Sequence, residues 1–334
     1  MKVLITGGGG FVGSHLAEFL LAKGAEVCAL VRSPENSTHL PPRSPGLSIV
    51  AADIRREDAV RRIVRDLAPD RIYHLAAFSA PRRSLQEPLL TYETNLQGTW
   101  NVLEAARTAS LPPRILCVST GQVYDAGAGA GALTESTPTK PETPYSASKL
   151  CAEIVAGQYH ASWGLPVLVV RPFNCIGPRQ SPVFVSSDFS KQMVEISLGI
   201  RPPIVHVGDL SQERDFTDVR DAVRAFALVL EQGNPGEAYN VCSGTLHSIQ
   251  EVIDTLAEIM KLKITVETET ARKGATGPPI ILGDPSKLKR DTGWQPQIPF
   301  RRSLVDLVEY WRERIAGARQ MGYPNANRFF RRNA

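Results

Sequence analysis

Apolar runs of strand length recur through the first half of the chain, each followed by a longer stretch whose apolar positions fall three or four apart. That alternation predicts strands at Lys2–Thr6, Glu26–Val31, Leu47–Ala51, Arg71–Ala76, Arg114–Ser119 and Pro166–Pro172, with helices between them. Short β-rich runs joined by helices call for right-handed crossovers, so the expected fold class is α/β: a Rossmann-type doubly wound parallel sheet covered on both faces. After Pro172 the texture changes. The stretch "FNCIGPRQSPVFVSSDFSKQMVEISLGIRPPIVHVGDL" mixes Pro, Gly and short apolar pieces around one helix, Ser186–Leu198. Further helices are expected at Val219–Glu231, Ser248–Met260 and around Arg302–Arg314, with a Gly- and Pro-rich loop at Ala271–Pro279. The expected organisation is therefore a dinucleotide-binding domain over residues 1–172, to which a segment near 215–245 returns. A smaller mixed α/β lid for substrate follows over 173–320, and a basic tail over 321–334.

Composition narrows the partners. With 38 basic against 34 acidic residues the net charge is +4, too mild and dispersed for nucleic acid and compatible with an anionic small molecule. The 334 residues can bury a large core. The chain shows no internal repeat and no low-complexity tract. Cys28, Cys117, Cys151, Cys175 and Cys242 form no C-x-x-C pair and read as reduced core thiols. The start, "MKVLITGGGG", is a strand entering a glycine turn and lacks the layout of a signal peptide. No apolar run approaches the ~18 residues of a membrane span, so a cytoplasmic enzyme without a membrane partner is the expectation.

Gly7, Gly10 and Gly13, with Phe11 and Val12 among them, stand directly after the first strand and open the first helix. Glycines so placed allow a tight turn, close approach of a pyrophosphate and packing of helix on strand, while the helix amino end favours the anion. The second strand then decides the cofactor, because an acid at its end bonds a ribose 2′-hydroxyl whereas a basic group accommodates a 2′-phosphate. Here the sequence is "CALVRSPEN": no acid stands there, and Arg32 and Ser33 follow at once. NADP(H) is therefore preferred and NAD(H) remains possible, with a merely solvated Arg32 as the alternative. Asp53 and Ile54 end the third strand, where a carboxylate could meet the adenine; Leu75, Ala76 and Ala77 end the fourth. By position these are cofactor contacts, though they could equally be ordinary strand ends.

Tyr145 and Lys149 in "PYSASK" lie one helical turn apart on one face. A lysine cation near a phenol stabilises the phenolate and lowers its pKa, which makes the pair a proton donor or acceptor for a carbonyl–alcohol couple. The spacing is common by itself, and the bland alternative is a solvated helix face. The glycine turn and a strand ending in Ser119 and Thr120 make it specific.

In order along the chain, "TGGGGFVG", "DI", "HLAA", "TNLQGTWNVLEAA", "VST" and "YSASK" resemble the motifs of the extended short-chain dehydrogenases/reductases that act on nucleotide sugars. "RPFNCIGPRQSPVFVSSDFSKQMV", "VGDLSQERDFTDVRDAV", "YNVCSG" and "LGDPSKLKRDTGWQP" resemble the branch that handles GDP-mannose derivatives, which holds both 4,6-dehydratases and 4-ketoreductases. The resemblance implies catalytic roles for Thr120, Tyr145 and Lys149, and adds Asn95 to the cofactor contacts. It implies substrate contacts at Ser79, Gln122, Asn174 and Arg214, with Arg179, Lys191 and Arg272 weaker candidates whose alternative is a solvated charge. It also implies a short edge strand at Val183–Val185, with Val185 beside the base. A glutamate that often contacts the nucleotide ribose is missing from "ARKGATGPP": either Thr276 substitutes or the ribose contact is lost, which weakens the case for GDP in particular. Two helices, around Asn95–Ala106 and Ser146–His160, are expected to pair in a homodimer.

Within that branch, "STGQVYD" discriminates. Dehydratases that resemble this chain carry a glutamate at the place of Gln122, often with an aspartate or serine at Gly121; an amide does not titrate and glycine has no side chain. Loss of water across carbons 5 and 6 then lacks its acid and base. Reduction needs only hydride, a proton from Tyr145, and Thr120 to hold the developing alkoxide. The expectation is a reductase of a nucleotide-linked 4-keto-6-deoxy-hexose, GDP-4-keto-6-deoxy-D-mannose to GDP-D-rhamnose first. Alternatives are a 4-epimerase, a 4,6-dehydratase, and, from a different class, a non-catalytic cofactor-binding sensor. Relatives with the reductase activity can retain a glutamate at Gln122, so its loss speaks against dehydration more than for one reduction.

Overall fold

The computed structural model describes residues 1–41, 44–127, 131–269 and 279–320. Strands β1 (Lys2–Thr6), β2 (Glu26–Val31), β3 (Leu47–Ala51), β4 (Arg71–His74), β5 (Arg114–Val118) and β6 (Val167–Pro172) appear where the apolar runs place them. Later come β7 (Asn174–Ile176), β8 (Ile204–Val207), β9 (Glu213–Asp218), β10 (Ala238–Val241), β11 (Leu246–Ser248), β12 (Thr265–Thr268) and β13 (Ile280–Ile281). The central sheet has seven strands in the order β10-β6-β5-β4-β1-β2-β3. Every neighbouring pair in it is parallel. The order reverses between β1 and β4, and a doubly wound sheet opens its ligand crevice at the carboxyl ends of the strands flanking such a reversal. β4 stops at His74, two residues before the expected end. The Leu75 and Ala76 N–H groups turn to Thr6 instead, donating to its carbonyl (3.1 Å) and to its Oγ1 (3.2 Å).

The helices are α1 (Phe11–Ala22), α2 (Glu57–Leu67), α3 (Pro81–Ser84), α4 (Pro88–Tyr92), α5 (Gly98–Arg107), α6 (Pro144–Trp163), α7 (Val185–Ser197), α8 (Val219–Gln232), α9 (Ile249–Met260), α10 (Ser286–Thr292) and α11 (Phe300–Gln320). A π-helical turn at Glu93–Gln97 joins α4 to α5. One apolar core lies under α2, α5 and α6 through Val64, Leu103 and Tyr159, and two more follow. One packs α1 and α8 on the central sheet through Leu16, Leu20, Val223 and Phe226; α8 and β10, although late in sequence, belong to it. The other joins α7, α9 and α11 through Met193, Ile253, Leu307 and Trp311, with Phe216 of β9 on its edge. β9 pairs with β7, β11 and β13, so it carries the chain from that core back to the sheet. Val183–Val185 is not an edge strand: Pro182 offers no N–H, Phe184 N–H closes a turn on the Ser181 carbonyl at 3.1 Å, and Val185 already starts α7. Among the described residues no helix is long and apolar enough to cross a membrane. All five cysteines are free thiols.

Candidate active site

The glycine turn is fixed by close approach. Gly7 sits at φ +71°, and a Cβ there would lie 2.8 Å from the Ala76 amide nitrogen; a Cβ on Gly13 would lie 2.2 Å from the Gly7 carbonyl oxygen. Only glycine permits this stacking of the turn against the end of β4 and the start of α1. Gly10 precedes α1 with no side-chain cap, which leaves the first N–H groups of the helix, on Phe11, Val12 and Gly13, for an anion. These groups fit the pyrophosphate of a dinucleotide. After the end of β2 Arg32 is exposed, while Ser33 Oγ donates to Asn36 Oδ1 at 3.0 Å. Asp53 is held by Arg55 through side chain and backbone, and hydrogen bonds from Arg55, with weaker help from the Arg32 charge, hold its carboxyl below the usual range. Ile54, by contrast, is buried: its side chain lies where a Cβ on Gly98 would meet it at 2.5 Å, and its carbonyl accepts from Asn101 Nδ2 at 2.9 Å. Only its N–H stays available to a cofactor. Leu75 and Ala76 lie beside Gly7, Ala77 is half-buried next to them, and Ser79 is exposed.

The reacting side chains stand at the ends of β5 and α6. Thr143 caps α6 in a reciprocal box with Ser146, and Pro144 takes the first helical position, so the helix begins one residue before Tyr145. The Tyr145 N–H donates to Ser84 Oγ at 3.2 Å, which ties the start of α6 to α3. Thr120 follows β5 by two residues and caps the 3₁₀ turn Gly121–Val123, accepting from the Gln122 N–H at 3.3 Å, and its hydroxyl acts on the Tyr145 phenol. Burial pushes that phenol up to about 12, with the Thr120 bond opposing and Cys175 adding. Burial also pulls the Lys149 ammonium down to about 8, opposed by Cys117 and Glu153. Burial thus outweighs any lowering of the phenol in the net shift. In the structure the lysine charge acts on His74 and Cys117, and the phenol keeps its proton throughout the neutral range.

A buried polar chain beneath the pair was not legible in the sequence. Thr6 Oγ1 lies 2.7 Å from His74 Nδ1, and His74 Nε2 lies 2.9 Å from Thr99 Oγ1, which donates to the Asn95 carbonyl at 2.5 Å. Because the single Thr99 proton is spent on Asn95, Thr99 must accept from Nε2–H, and Nδ1 accepts from Thr6. Burial, aided by the Lys149 charge, holds His74 down near about 3, so it stays neutral. The Asn95 side chain accepts from Phe78 N–H (2.7 Å) and donates to the Phe78 carbonyl and to Ser148 Oγ (2.9 Å), which in turn donates to the Tyr145 carbonyl. Asn95 is thus a brace between the π-turn and α6, with both amide N–H groups and one lone pair of Oδ1 engaged by protein. Ser119 Oγ, buried at the end of β5, has no protein partner among the described residues.

Next to Thr120, Gly121 is covered by the Phe173 ring, whose carbons would lie 3.1–3.2 Å from an added Cβ. Gln122 is exposed. Asn174 follows Phe173 on β7, paired with Phe216 of β9. On β9, Arg214 Nη1 donates to the Glu213 and Pro279 carbonyls, each at 2.8 Å, and Nη2 to Gln212 Oε1 at 2.7 Å. Of the five N–H donors of a guanidinium these use three, leaving Nε–H and one on Nη2. All three acceptors are neutral, and burial pulls Arg214 down to about 10. Two other candidate charges are engaged by the protein. Arg179 bonds Ser14 Oγ and Glu18 of α1, and Lys191 is buried in a 2.6 Å pair with Glu195, over the Trp311 ring in the core of α7, α9 and α11. Arg272, Thr276 and most of the loop Ala271–Pro279 lie outside the described residues. No cluster of metal-binding side chains occurs among the described residues.

Residues 4–307 match the family described as GDP-mannose 4,6 dehydratase. The chain is 33% identical to a GDP-6-deoxy-D-mannose reductase of Pseudomonas aeruginosa over 94% of this chain and 98% of that protein. Among solved structures it resembles RMD from Pseudomonas aeruginosa complexed with NADPH, with a TM-score of 0.80, 30% identity, and coverage of 94% and 99%. It also resembles a UDP-glucose 4-epimerase from Thermotoga maritima with UDP-glucose, with a TM-score of 0.85, 27% identity, and coverage of 94% and 100%.

Proposed function

The chain belongs to the GDP-mannose 4,6-dehydratase family of extended short-chain dehydrogenases/reductases, NAD(P)-dependent enzymes of nucleotide sugars, and we propose that it is a 4-ketoreductase. Its substrate on this reading is a nucleotide-linked 4-keto-6-deoxy-hexose, GDP-4-keto-6-deoxy-D-mannose first, and its product GDP-D-rhamnose. One observation carries the reading. Beside Thr120 and Tyr145, the two positions that could hold an acid and a base hold Gln122, which cannot titrate, and Gly121, whose side-chain space is filled by Phe173.

A bound nicotinamide supplies the hydride. The turn Gly7–Gly13 holds the cofactor pyrophosphate, Arg32 and Ser33 favour a 2′-phosphate and hence NADP(H), and Ala76 and Ala77 let the cofactor lie close. Tyr145, protonated at neutral pH, donates its proton to the carbonyl oxygen at carbon 4. Thr120 bonds the same oxygen and the phenol, and so stabilises charge that grows in the transition state. Lys149, a cation below about pH 8, supports the phenolate left behind. Arg214 offers its two remaining N–H groups to the diphosphate, with Asn174 nearby on β7.

The same reading takes the protein as a homodimer through α5 and α6, whose outer faces expose Trp100 (54%), Ile154 (64%) and, at the end of α6, Trp163 (50%). It takes the cytoplasm as the setting, in keeping with five unbridged cysteines. The test is direct: incubate the protein with NADPH and GDP-4-keto-6-deoxy-mannose, and separately with GDP-mannose, while following absorbance of the reduced cofactor and the products. Consumption of NADPH with formation of a 6-deoxyhexose is expected. Constant NADPH with the keto sugar, together with loss of water from GDP-mannose, would sink the proposal; conversion to the carbon-4 epimer without net oxidation would replace it with epimerisation.

A further inference from the structure

A buried ion pair lies one helical turn beyond the reacting residues of α6. Glu153 follows Lys149 by four positions on the same face of the helix, and its carboxylate is one of the groups that oppose the loss of charge by Lys149. Arg171 of β6 grips that carboxylate with a fork: Nε lies 3.1 Å from each oxygen, and Nη2 lies 2.6 Å from Oε2. The two side chains are only 10% and 8% exposed. The other arm of the guanidinium turns toward Thr120's side of the site. Nη1 donates to the Tyr124 phenol oxygen at 2.9 Å, and that phenol donates to Asn240 Oδ1 at 2.6 Å. Burial pushes the Tyr124 phenol up to about 12, so it keeps the proton it donates. Asn240 of β10 stands beside Arg171 in the parallel pair of β10 with β6, which fixes the far end of this bond.

Tyr124 closes the 3₁₀ turn that Thr120 caps. Its N–H reaches the Gly121 carbonyl and the Val123 N–H reaches the Thr120 carbonyl, each at 3.4 Å. Its ring tilts against Phe173, the same ring that covers Gly121, with centroids 6.4 Å apart. One guanidinium therefore holds α6, which carries Tyr145 and Lys149, through Glu153, and holds the Thr120 turn through Tyr124. A buried ion pair adds little net stability, because desolvation offsets its attraction. What a planar fork adds is direction, since two partners are fixed in one plane at once.

We propose that Arg171 is a positioning residue for the reduction: it sets the Thr120 turn against α6, so that the Thr120 hydroxyl and the Tyr145 phenol converge on one substrate oxygen. This rests on the reductase reading given above. An oxygen held by two donors tolerates little displacement, and an error of about 1 Å can cost about 10²-fold in rate. The glycine turn and Arg214, to which the cofactor pyrophosphate and the diphosphate are assigned, stand on other elements. Loosening the clamp should therefore slow hydride transfer and spare binding.

The test is a double-mutant cycle on the two arms of the clamp, read as single-turnover oxidation of NADPH by the whole protein with GDP-4-keto-6-deoxy-mannose at about pH 6, where Lys149 is charged. Tyr124→Phe removes one hydroxyl and keeps the ring; Glu153→Gln keeps the size and removes the charge. Each should slow hydride transfer about tenfold, with KM for the sugar nucleotide and Kd for NADPH within about twofold. The link needs both arms, so the double variant should be little slower than either single one. Arg171→Lys, a point charge without a fork, should be slowed at least as much. The pH profile separates the arms. Glu153→Gln removes a group that keeps Lys149 charged, while His74 of β4 and Cys117 of β5 still face the ammonium, so the high-pH decline of kcat/KM should begin below that of the unmodified enzyme. Tyr124→Phe should leave that decline in place. A merely structural role would lower the melting temperatures and leave hydride transfer by the folded variants at its normal rate, which overturns the proposal. Losses confined to KM or Kd, or losses that multiply in the double variant, overturn it as well. Unmodified protein that fails to oxidise NADPH with the keto sugar removes the reductase reading and this inference with it; a competent enzyme with unimpaired variants sinks this inference alone.

Discussion

The ring of Phe173 lies 3.1 Å from the point where a side chain on Gly121 would begin, and the same ring would meet a Cβ on Gly283 at 2.7 Å. Two glycines therefore make room for one aromatic ring beside Thr120. A dense interior resists an added side chain by forcing neighbours off their preferred rotamers, at about 1–3 kcal/mol. Gly121→Asp should cost about that much in urea unfolding. In a Phe173→Ala background, already weakened by its cavity, the extra cost should fall close to zero. An equal cost in both backgrounds would show that something other than the ring excludes a side chain at 121. Gln122→Glu, on an exposed side chain, should fold normally and still fail to release water from GDP-mannose.

The pH profile follows from the two buried reacting groups. Tyr145 holds its proton up to about pH 12, so supply of the donor does not limit reduction in the usual range. Lys149 loses its charge through about pH 8. The kcat/KM for keto-sugar reduction should therefore stay level from about pH 6 to 7.5 and decline above about 8, and Lys149→Arg should carry the level region past pH 9. A level profile to pH 10 in the unmodified enzyme would remove the lysine charge from the mechanism. Tyr145→Phe should lower kcat by about 10²–10⁴ while the affinity for NADPH stays within a few-fold; near-normal turnover would displace Tyr145 from its role.

Burying Lys149 as a cation costs stability, and the sign can be checked against pH. Its native pKa lies below the unfolded value, so between about pH 8 and 10.5 the unfolded chain binds more protons and stability rises with pH. Below about pH 8 the cost is present in full. A fall from 10.5 to about 8 corresponds to roughly 3 kcal/mol. Lys149→Met should therefore be inactive yet more stable at pH 7, by up to about that amount, with the advantage gone by about pH 10.5. Denaturant unfolding at the two pH values reads it. A variant no more stable at pH 7 would mean that the cation is solvated and not buried.

How much of this was readable in the chain depended on the range of the interaction. The six leading strands, the glycine turn and the Tyr145–Lys149 spacing follow from local periodicity, and the structure places them within one or two residues. Contacts that close over long separations were not readable. Asn95 looks like a cofactor residue by position, but only the fold brings Phe78 and Ser148 to its amide. Ile54 looks like a strand-end contact until Gly98 gives its side chain a place to pack. Lys191 looks like a phosphate binder until Glu195 and Trp311 enclose it. The glycine at 121 was visible from the start; the reason for it, Phe173, lies about fifty residues away and needed the packed structure.

The cofactor preference turns on Arg32, exposed at the end of β2 and close enough to Asp53 for its charge to act there. A guanidinium facing a 2′-phosphate is worth a charge-assisted hydrogen bond, about 1.5–3 kcal/mol. Arg32→Gln should weaken NADPH binding by about 10- to 100-fold and leave NADH nearly unchanged. Fluorescence titration with both cofactors measures the ratio. Equal loss for the two would mean that Arg32 merely solvates the strand end.

Arg214 is the clearest case of a charge held in waiting. Its side chain is mostly buried, its three engaged N–H groups end on neutral oxygens, and burial has already pulled it down to about 10. Among the described residues only the Asp209 charge acts on it, and it makes no ion pair, so a buried cation of this kind raises the free energy of the protein and a ligand that brings an anion recovers it. The two N–H groups left over suit a phosphate oxygen pair. Arg214→Gln should therefore raise KM for the nucleotide sugar by about 30- to 100-fold with kcat changed far less, since the diphosphate is held alike in ground and transition states. It should also shrink the rise in melting temperature that GDP-mannose gives the unmodified protein, because stabilisation by a ligand scales with its occupancy. Lysine at 214 should recover only part of the affinity, having a point charge but no fork. A variant that loses kcat and keeps KM would place Arg214 at the reacting carbon instead, and the orientation of the sugar nucleotide in the cleft would have to be reversed.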